Sequence, residues 1–222
     1  MNGKSISFIN DKGGVSKSTS AICLADLLMN QGKRVCLVDV DARHSCLDWA
    51  ELANQNGRKT PLMVGNSHAN VGTEIEKLKE FHDYVIVDGM SSFVNTGRKE
   101  LIASIIKSSD FIFIPTMANP FDLWALSELT DIIKTRQSIT DGQPPTYIYG
   151  AMVREGVNEW AKFKETKDEA PFPILDEYIP LDVAFPRTTG EGSTPYYLAE
   201  SKKSRKALID WANEIMEKVT HE

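Results

Sequence analysis

Cysteine is scarce in this chain: 222 residues hold three, Cys23, Cys36 and Cys46, with no C-x-x-C pair and no histidine cluster beside them. That excludes a disulfide framework and a thiolate metal cage, and the three thiols read as small packed hydrophobes of a cytosolic protein. Long apolar runs are missing as well. No stretch approaches the roughly 20 residues that a membrane span requires, and the run bracketed by Lys4 and Asp11 is too short for a secretory signal. Nor is there an excess of positive charge. A formal net charge of −6 gives a field that does not attract nucleic acid, so any DNA contact needs a local basic patch. Repeats and low-complexity tracts are absent. What remains is the composition of an ordinary globular protein, 41% hydrophobic and 25% charged, long enough to bury a core without staples.

Within that frame, continuous apolar runs alternate with helical spacing. Runs rich in Ile, Val, Phe and Tyr at Ser5–Asn10, Arg34–Val40, Pro61–Val64, Tyr84–Asp88, Phe111–Pro115 and Thr146–Val153 predict strands buried on both faces. Ala21, Leu24, Ala25, Leu28 and Met29 make one helical stripe that Gly32 closes. Further helices are expected near Cys46–Gln55, Val71–Phe81, Arg98–Lys107, Phe121–Arg136, Asn158–Lys167 and Tyr196–Val219. Strand–helix alternation predicts an α/β fold: a mostly parallel, twisted sheet with helices on both faces and right-handed crossovers. Asp141–Pro145 reads as a connection within one domain spanning 1–222.

The first strand runs into Lys12-Gly13-Gly14-Val15-Ser16-Lys17-Ser18-Thr19, and a helix follows. Small residues let backbone N–H groups curl around a phosphate, and the helix N-terminus adds partial positive charge. Lys17 is placed to reach β- and γ-phosphates, Ser18 to bind Mg²⁺, and Thr19 to donate to an inner phosphate. The standard G-x-x-x-x-G-K-[ST] pattern fails at both glycines, where Asp11 and Ser16 stand. If position 16 requires φ > 0, its serine costs on the order of 1 kcal/mol. Hydrolysis also needs carboxylates, and two apolar strands end in them: Val38-Asp39-Val40-Asp41 and Ile86-Val87-Asp88.

The loop resembles the deviant Walker A motif, K-G-G-x-x-K-[ST]-T, of the ParA/MinD superfamily of P-loop ATPases. The resemblance implies ATP/ADP and Mg²⁺ as ligands. It implies that Lys12 reaches the partner's phosphates in an ATP-dependent sandwich homodimer, leaving open whether that form polymerises. Asp39 would support the magnesium shell, Asp41 would position the attacking water, and Asp88 would be the Walker B carboxylate. Where the family commonly continues from Asp41 with Pro-Gln, this chain has Ala42-Arg43. Later segments are also similar to the family: Phe111–Pro115 with Asn119-Pro120-Phe121-Asp122, then Ile179-Pro180-Leu181-Asp182 beside the adenine, and Arg187 through Pro195. Arg154, Pro180 and Asp182 are the implied adenine-side residues, although Met152-Val153 precede Arg154 where relatives often carry an Asn-Arg pair. The nearest subgroup is ParF-like and VirC1-like, without an N-terminal helix-turn-helix, since the loop starts at Lys12.

By that resemblance the chain is expected to be a partition ATPase that is weak unless stimulated. Its ATP dimer would hold DNA without sequence preference and sit on the nucleoid. A small DNA-binding adaptor of the ParB/ParG type would stimulate it. Lys202, Lys203, Arg205 and Lys206 form the one dense basic run able to meet DNA phosphates, against the alternative of a solvated helix face balanced by Glu200, Asp210 and Glu214. The stripe Leu208, Trp211, Ala212, Ile215 and Val219 reads as packing on the sheet rather than a membrane anchor, because Glu214 and Glu217 interrupt it. Two other functions share the fold: a biosynthetic enzyme of the dethiobiotin synthetase type, which would not need Lys12 as a cross-subunit contact, and a non-hydrolysing nucleotide-sensing scaffold suggested by Ser16. A nitrogenase-type iron protein fails, because all three cysteines precede residue 47.

Overall fold

A computed structural model describes residues 3–90, 96–156 and 158–221. Among them run β1 (Lys4–Phe8), β2 (Val35–Asp39), β3 (Leu62–Gly65), β4 (Tyr84–Asp88), β5 (Phe111–Thr116), β6 (Thr146–Val153) and β7 (Ile174–Pro180). They form one parallel sheet in the order β3-β2-β4-β1-β5-β6-β7. The helices are α1 (Lys17–Asn30), α2 (Ser45–Gln55), α3 (Val71–Lys79), α4 (Thr96–Ser108), α5 (Pro120–Ala125), α6 (Ser127–Ser138), α7 (Glu159–Glu165), α8 (Ala184–Gly190) and α9 (Lys203–His221).

The period of two along each strand sorts the core into two layers. Ile6, Phe8, Leu37, Ile86, Phe113 and Tyr149 face α1, α2, α8 and α9. Val38, Val85, Val87, Ile112, Ile114 and Ile148 face α3, α4, α6 and α7. This is why the strands read as unbroken apolar runs. The stripe of α9 packs as expected, with Leu208, Trp211, Ala212, Ile215 and Val219 fully buried. Among the described residues no helix is long and apolar enough to cross a membrane.

Strand ends at the carboxyl edge carry the polar residues that build the site, and they are braced by side chains. Pro115 lies in a central strand, where a missing N–H would ordinarily cost a ladder bond. Here β1 pairs with β5 only as far as Phe8–Phe113, and the Asn10 amide donates to the Pro115 carbonyl at 2.7 Å. On β6 the register shifts between Ala151 and Val153, with Met152 at φ 57°. The bulge turns Val153 into the opposite layer from Ala151 and sends Arg154 to the surface.

The structure departs from the sequence expectations in three places. The helix expected over Phe121–Arg136 breaks at Leu126 into α5 and α6; the side chains of Pro120 and Phe121 lie outside the described residues. The last helix starts at Lys203 rather than Tyr196, because Leu198 is extended (ψ 162°) after a 3₁₀ turn at Pro195–Tyr197. Finally, β7 and α8 lie where neither was expected.

Candidate functional site

The loop between β1 and α1 has the geometry that its composition demands. Asn10 accepts the Lys12 N–H at 2.9 Å, which starts the curl. Gly14 lies at φ 75° with nothing within 4 Å of an added Cβ, so backbone conformation rather than space requires glycine there. Ser16 lies at φ 65°, ψ 25°, the left-handed N-cap of α1, and its side chain makes no capping bond. The first helical bond runs from Ser20 N–H to Ser16 C=O at 2.9 Å, which leaves the N–H groups of the first turn without an intrahelical acceptor.

A cavity of about 270 Å³ opens above this turn, lined by Gly14, Ser16, Lys17, Ser18, Thr19, Asp41, Arg43 and Ser45. Lys17 is only 6% exposed, and its ammonium donates to the Lys12 carbonyl at 2.9 Å. Burial pushes its pKa down, while the nearby Asp88, Asp41 and Asp11 push it back up. Lys12 turns the other way. Its ammonium pairs with Asp122 of α5 at 2.7 Å, the lysine half-exposed and the aspartate buried. Asp122 also accepts the Met117 N–H at 3.2 Å.

The carboxylates stand at the ends of adjacent strands, Asp39 opposite Asp88 in register. Asp39 is buried, and its oxygens are spent on backbone. One accepts from Cys46 N–H at 2.9 Å and Leu47 N–H at 3.4 Å, capping α2; the other accepts from Asp41 N–H at 3.1 Å. Asp39 therefore shapes the turn that carries Asp41. Asp41 in turn accepts the Arg43 N–H at 3.0 Å. Asp88 is fully buried. One of its oxygens takes the Cys46 thiol at 3.2 Å, and the other has no hydrogen-bond partner. Desolvation, then the neighbouring Asp39 charge, raises its pKa to about 7, against hydrogen bonds from Ser18 and Cys46 and the charge of Lys17. Desolvation likewise raises Asp39. Asp39, Cys46 and Asp88 bring ligand atoms within 4.8 Å of one another. The orphaned Asp88 oxygen beside the Ser18 hydroxyl fits a hard divalent cation, since an unpaired buried carboxylate is costly without one.

Arg154 and Pro180 stand at the joined ends of β6 and β7, where the Leu181 N–H donates to the Val153 carbonyl at 2.7 Å. Arg154 is exposed after the β6 bulge, and Pro180 is buried opposite Val153. Asp182 is committed to structure: it accepts Ala184 N–H at 2.8 Å, capping α8, and the Ser204 hydroxyl at 2.6 Å. Those bonds hold its carboxyl below the usual range. Leu181 and Val183 flank it, 50% and 77% exposed. In the basic run Lys202, Lys203 and Lys206 face solvent. Arg205 is half-buried, donating to Leu198 C=O at 3.0 Å and lying over the Tyr196 ring at 5.2 Å. Sequence reasoning did not anticipate Asp122 as the seat of Lys12, nor Arg43 and Cys46 in the site. Asp122 carried a signal through the Asn119–Asp122 segment, and Arg43 through the departure after Asp41; Cys46 carried none.

The model of the VirC1 protein family matches residues 3–146. VirC1 of Rhizobium radiobacter is 33% identical over 123 residues, 53% of this chain and 51% of that protein, so the match spans about half of that relative's length. A maintenance of carboxysome distribution protein A from Gloeobacter kilaueensis is 26% identical over 209 residues, 93% of this chain and 89% of that protein. Among solved structures, Cyanothece McdA in complex with ATP superposes with a TM-score of 0.74 at 14% identity, covering 97% of each chain.

Proposed function

The chain belongs to the VirC1 family, within the ParA/MinD superfamily of P-loop ATPases, and from that premise we propose that it is an ATP-driven positioning switch. In this reading ATP binding assembles a homodimer, the dimer holds DNA, and hydrolysis releases it. The observation that carries the reading is the cavity of about 270 Å³ over the β1–α1 turn, whose walls bring Lys17, Ser18 and Thr19 together with Asp41.

The residues divide the work by position. Backbone N–H groups of Gly13–Thr19 and the start of α1 cradle the phosphates. Lys17 exchanges the Lys12 carbonyl for β- and γ-phosphate oxygens, which restores charge stabilisation to a buried ammonium. Ser18 and Asp88, with Asp39 behind them, would hold magnesium, which would supply charge neutralisation when bound. Asp41 orients the attacking water. The base lies toward Arg154 and Pro180, where Leu181 and Val183 offer apolar surface and Asp182 holds the turn. Lys12 leaves Asp122 to reach the partner's nucleotide. Lys202, Lys203 and Lys206 meet DNA phosphates, with Arg205 bracing their helix start. A small DNA-binding adaptor stimulates hydrolysis, and the ATP form sits on the nucleoid in the cytoplasm.

The test uses a non-hydrolysable ATP analogue with magnesium and measures binding, mass by light scattering, and DNA retention. Wild-type protein should bind, dimerise and retain DNA. Lys12→Ala should bind and remain monomeric. Dimers that survive Lys12→Ala remove the cross-subunit role, and wild-type protein without magnesium-dependent nucleotide binding overturns the whole reading.

A further inference from the structure

Arg43 stands where the resembling motif commonly carries glutamine. It lines the same cavity as Lys17 and Asp41. Its backbone is fixed from both sides: Asp39 holds the Asp41 N–H, Asp41 holds the Arg43 N–H at 3.0 Å, and His44 turns at φ 56° into α2. Among the described residues the Arg43 guanidinium makes no ion pair or hydrogen bond. Its charge is close enough to Lys17 to disfavour the lysine's protonation. Two cations thus converge on one cavity beside a helix N-terminus, with the Asp41 carboxylate on its wall. Converging like charges cost energy, and a polyanion bound there would remove that cost.

We propose that Arg43 acts in its own chain as a catalytic residue, closing over the terminal phosphate of bound ATP and stabilising the charge that spreads as the phosphoryl group transfers. The proposal rests on the nucleotide reading above. Water oxygen forms a bond to the γ-phosphorus while the bond from γ-phosphorus to the bridging oxygen breaks, its electron pair leaving with ADP. A proton of the water passes to Asp41 and on to solvent, giving ADP, inorganic phosphate and a proton. Arg43 forms no covalent bond. Its planar fork can hold two γ-oxygens at once, which a lysine cannot do.

The residue is exposed, so substitution should leave folding intact, and affinity for Mg·ADP serves as the control. Arg43→Gln should lower single-turnover hydrolysis by about 100-fold or more, as loss of a charge-stabilising donor does. It should leave ADP affinity within about 2-fold, because ADP lacks the group that Arg43 contacts. Trapping of ADP with aluminium fluoride, read by gel filtration, should be lost in Arg43→Gln and only partly kept in Arg43→Lys. Hydrolysis and trapping at wild-type levels in Arg43→Gln overturn the proposal while the nucleotide site stands. An equal loss of ADP binding also overturns it, since Arg43 would then be a general phosphate contact. Recovery of hydrolysis on mixing Arg43→Gln with Lys17→Ala chains overturns the assignment to the same chain. Wild-type protein that fails to bind Mg·ADP takes down both readings together.

Discussion

Two residues of the loop region hold their positions against their own preferences. Ser16 occupies a left-handed conformation at a cost of about 1 kcal/mol for a residue with a Cβ. The position needs that conformation to aim the first turn of α1 into the cavity. Asp88 is the stronger case, a fully buried carboxylate raised to about 7 by desolvation. Its folded pKa lies above its unfolded value of 3.8. The folded state therefore favours the neutral acid, and stability falls as pH rises from about 4 to about 7, by on the order of 4 kcal/mol for this group. Asp88→Asn cannot ionise. In nucleotide-free, magnesium-free protein it should melt above wild type at pH 8, and the gap should narrow as pH falls and close near pH 4. Thermal melts across that range decide the matter, and a gap independent of pH would mean that burial does not raise the Asp88 pKa in the folded protein.

Among the secondary-structure elements, α2 is the one that the site moves through, since its N-terminus is capped by Asp39 and its start carries Ser45 into the cavity. Its far side is pinned. Gly192 lies at φ 65°, and a Cβ there would meet the Ala53 nitrogen at 2.3 Å. Trp49 donates its indole N–H to the Ser193 carbonyl at 3.0 Å. Gly192→Ala combines left-handed strain with a backbone clash, and should destabilise by about 2 kcal/mol or more in urea melts. A loss under about 1 kcal/mol would show that the contact yields. This coupling was not legible in the sequence, and neither were the elements beside it. The strand β7 lies at the edge of the sheet and is interrupted by the exposed pair Asp176-Glu177, so it lacks the unbroken run that marked the inner strands. The helix α8 is short and holds Pro186, Thr188 and Thr189, weak helix formers that tertiary packing overrides. The inner strands and the loop were legible, because burial on both faces and phosphate geometry each constrain residue type locally. The seat of Lys12 was not, because a contact across 110 positions leaves no periodic trace.

That contact matters most for the assembled molecule. If Lys12 serves the partner's nucleotide, each chain must first break its own Lys12–Asp122 pair, so two pairs break for every dimer formed. The lysine is 43% exposed, which places the pair among partly solvated bridges worth about 0.5–1 kcal/mol each. Two of them oppose assembly by about 1–2 kcal/mol, or roughly 5- to 30-fold in the dimer dissociation constant. Asp122→Asn removes the charge while its amide oxygen can still accept the Met117 N–H, so the start of α5 stays in place. The variant should form the ATP-analogue dimer at correspondingly lower protein concentration, measured by sedimentation or light scattering across a dilution series. Nucleotide-free protein should remain monomeric in both, because without a γ-phosphate the released lysine has nothing to grip. A variant that dimerises no better than wild type, or worse, would place Asp122 among the groups that serve the dimer and make its pairing with Lys12 part of the assembled state.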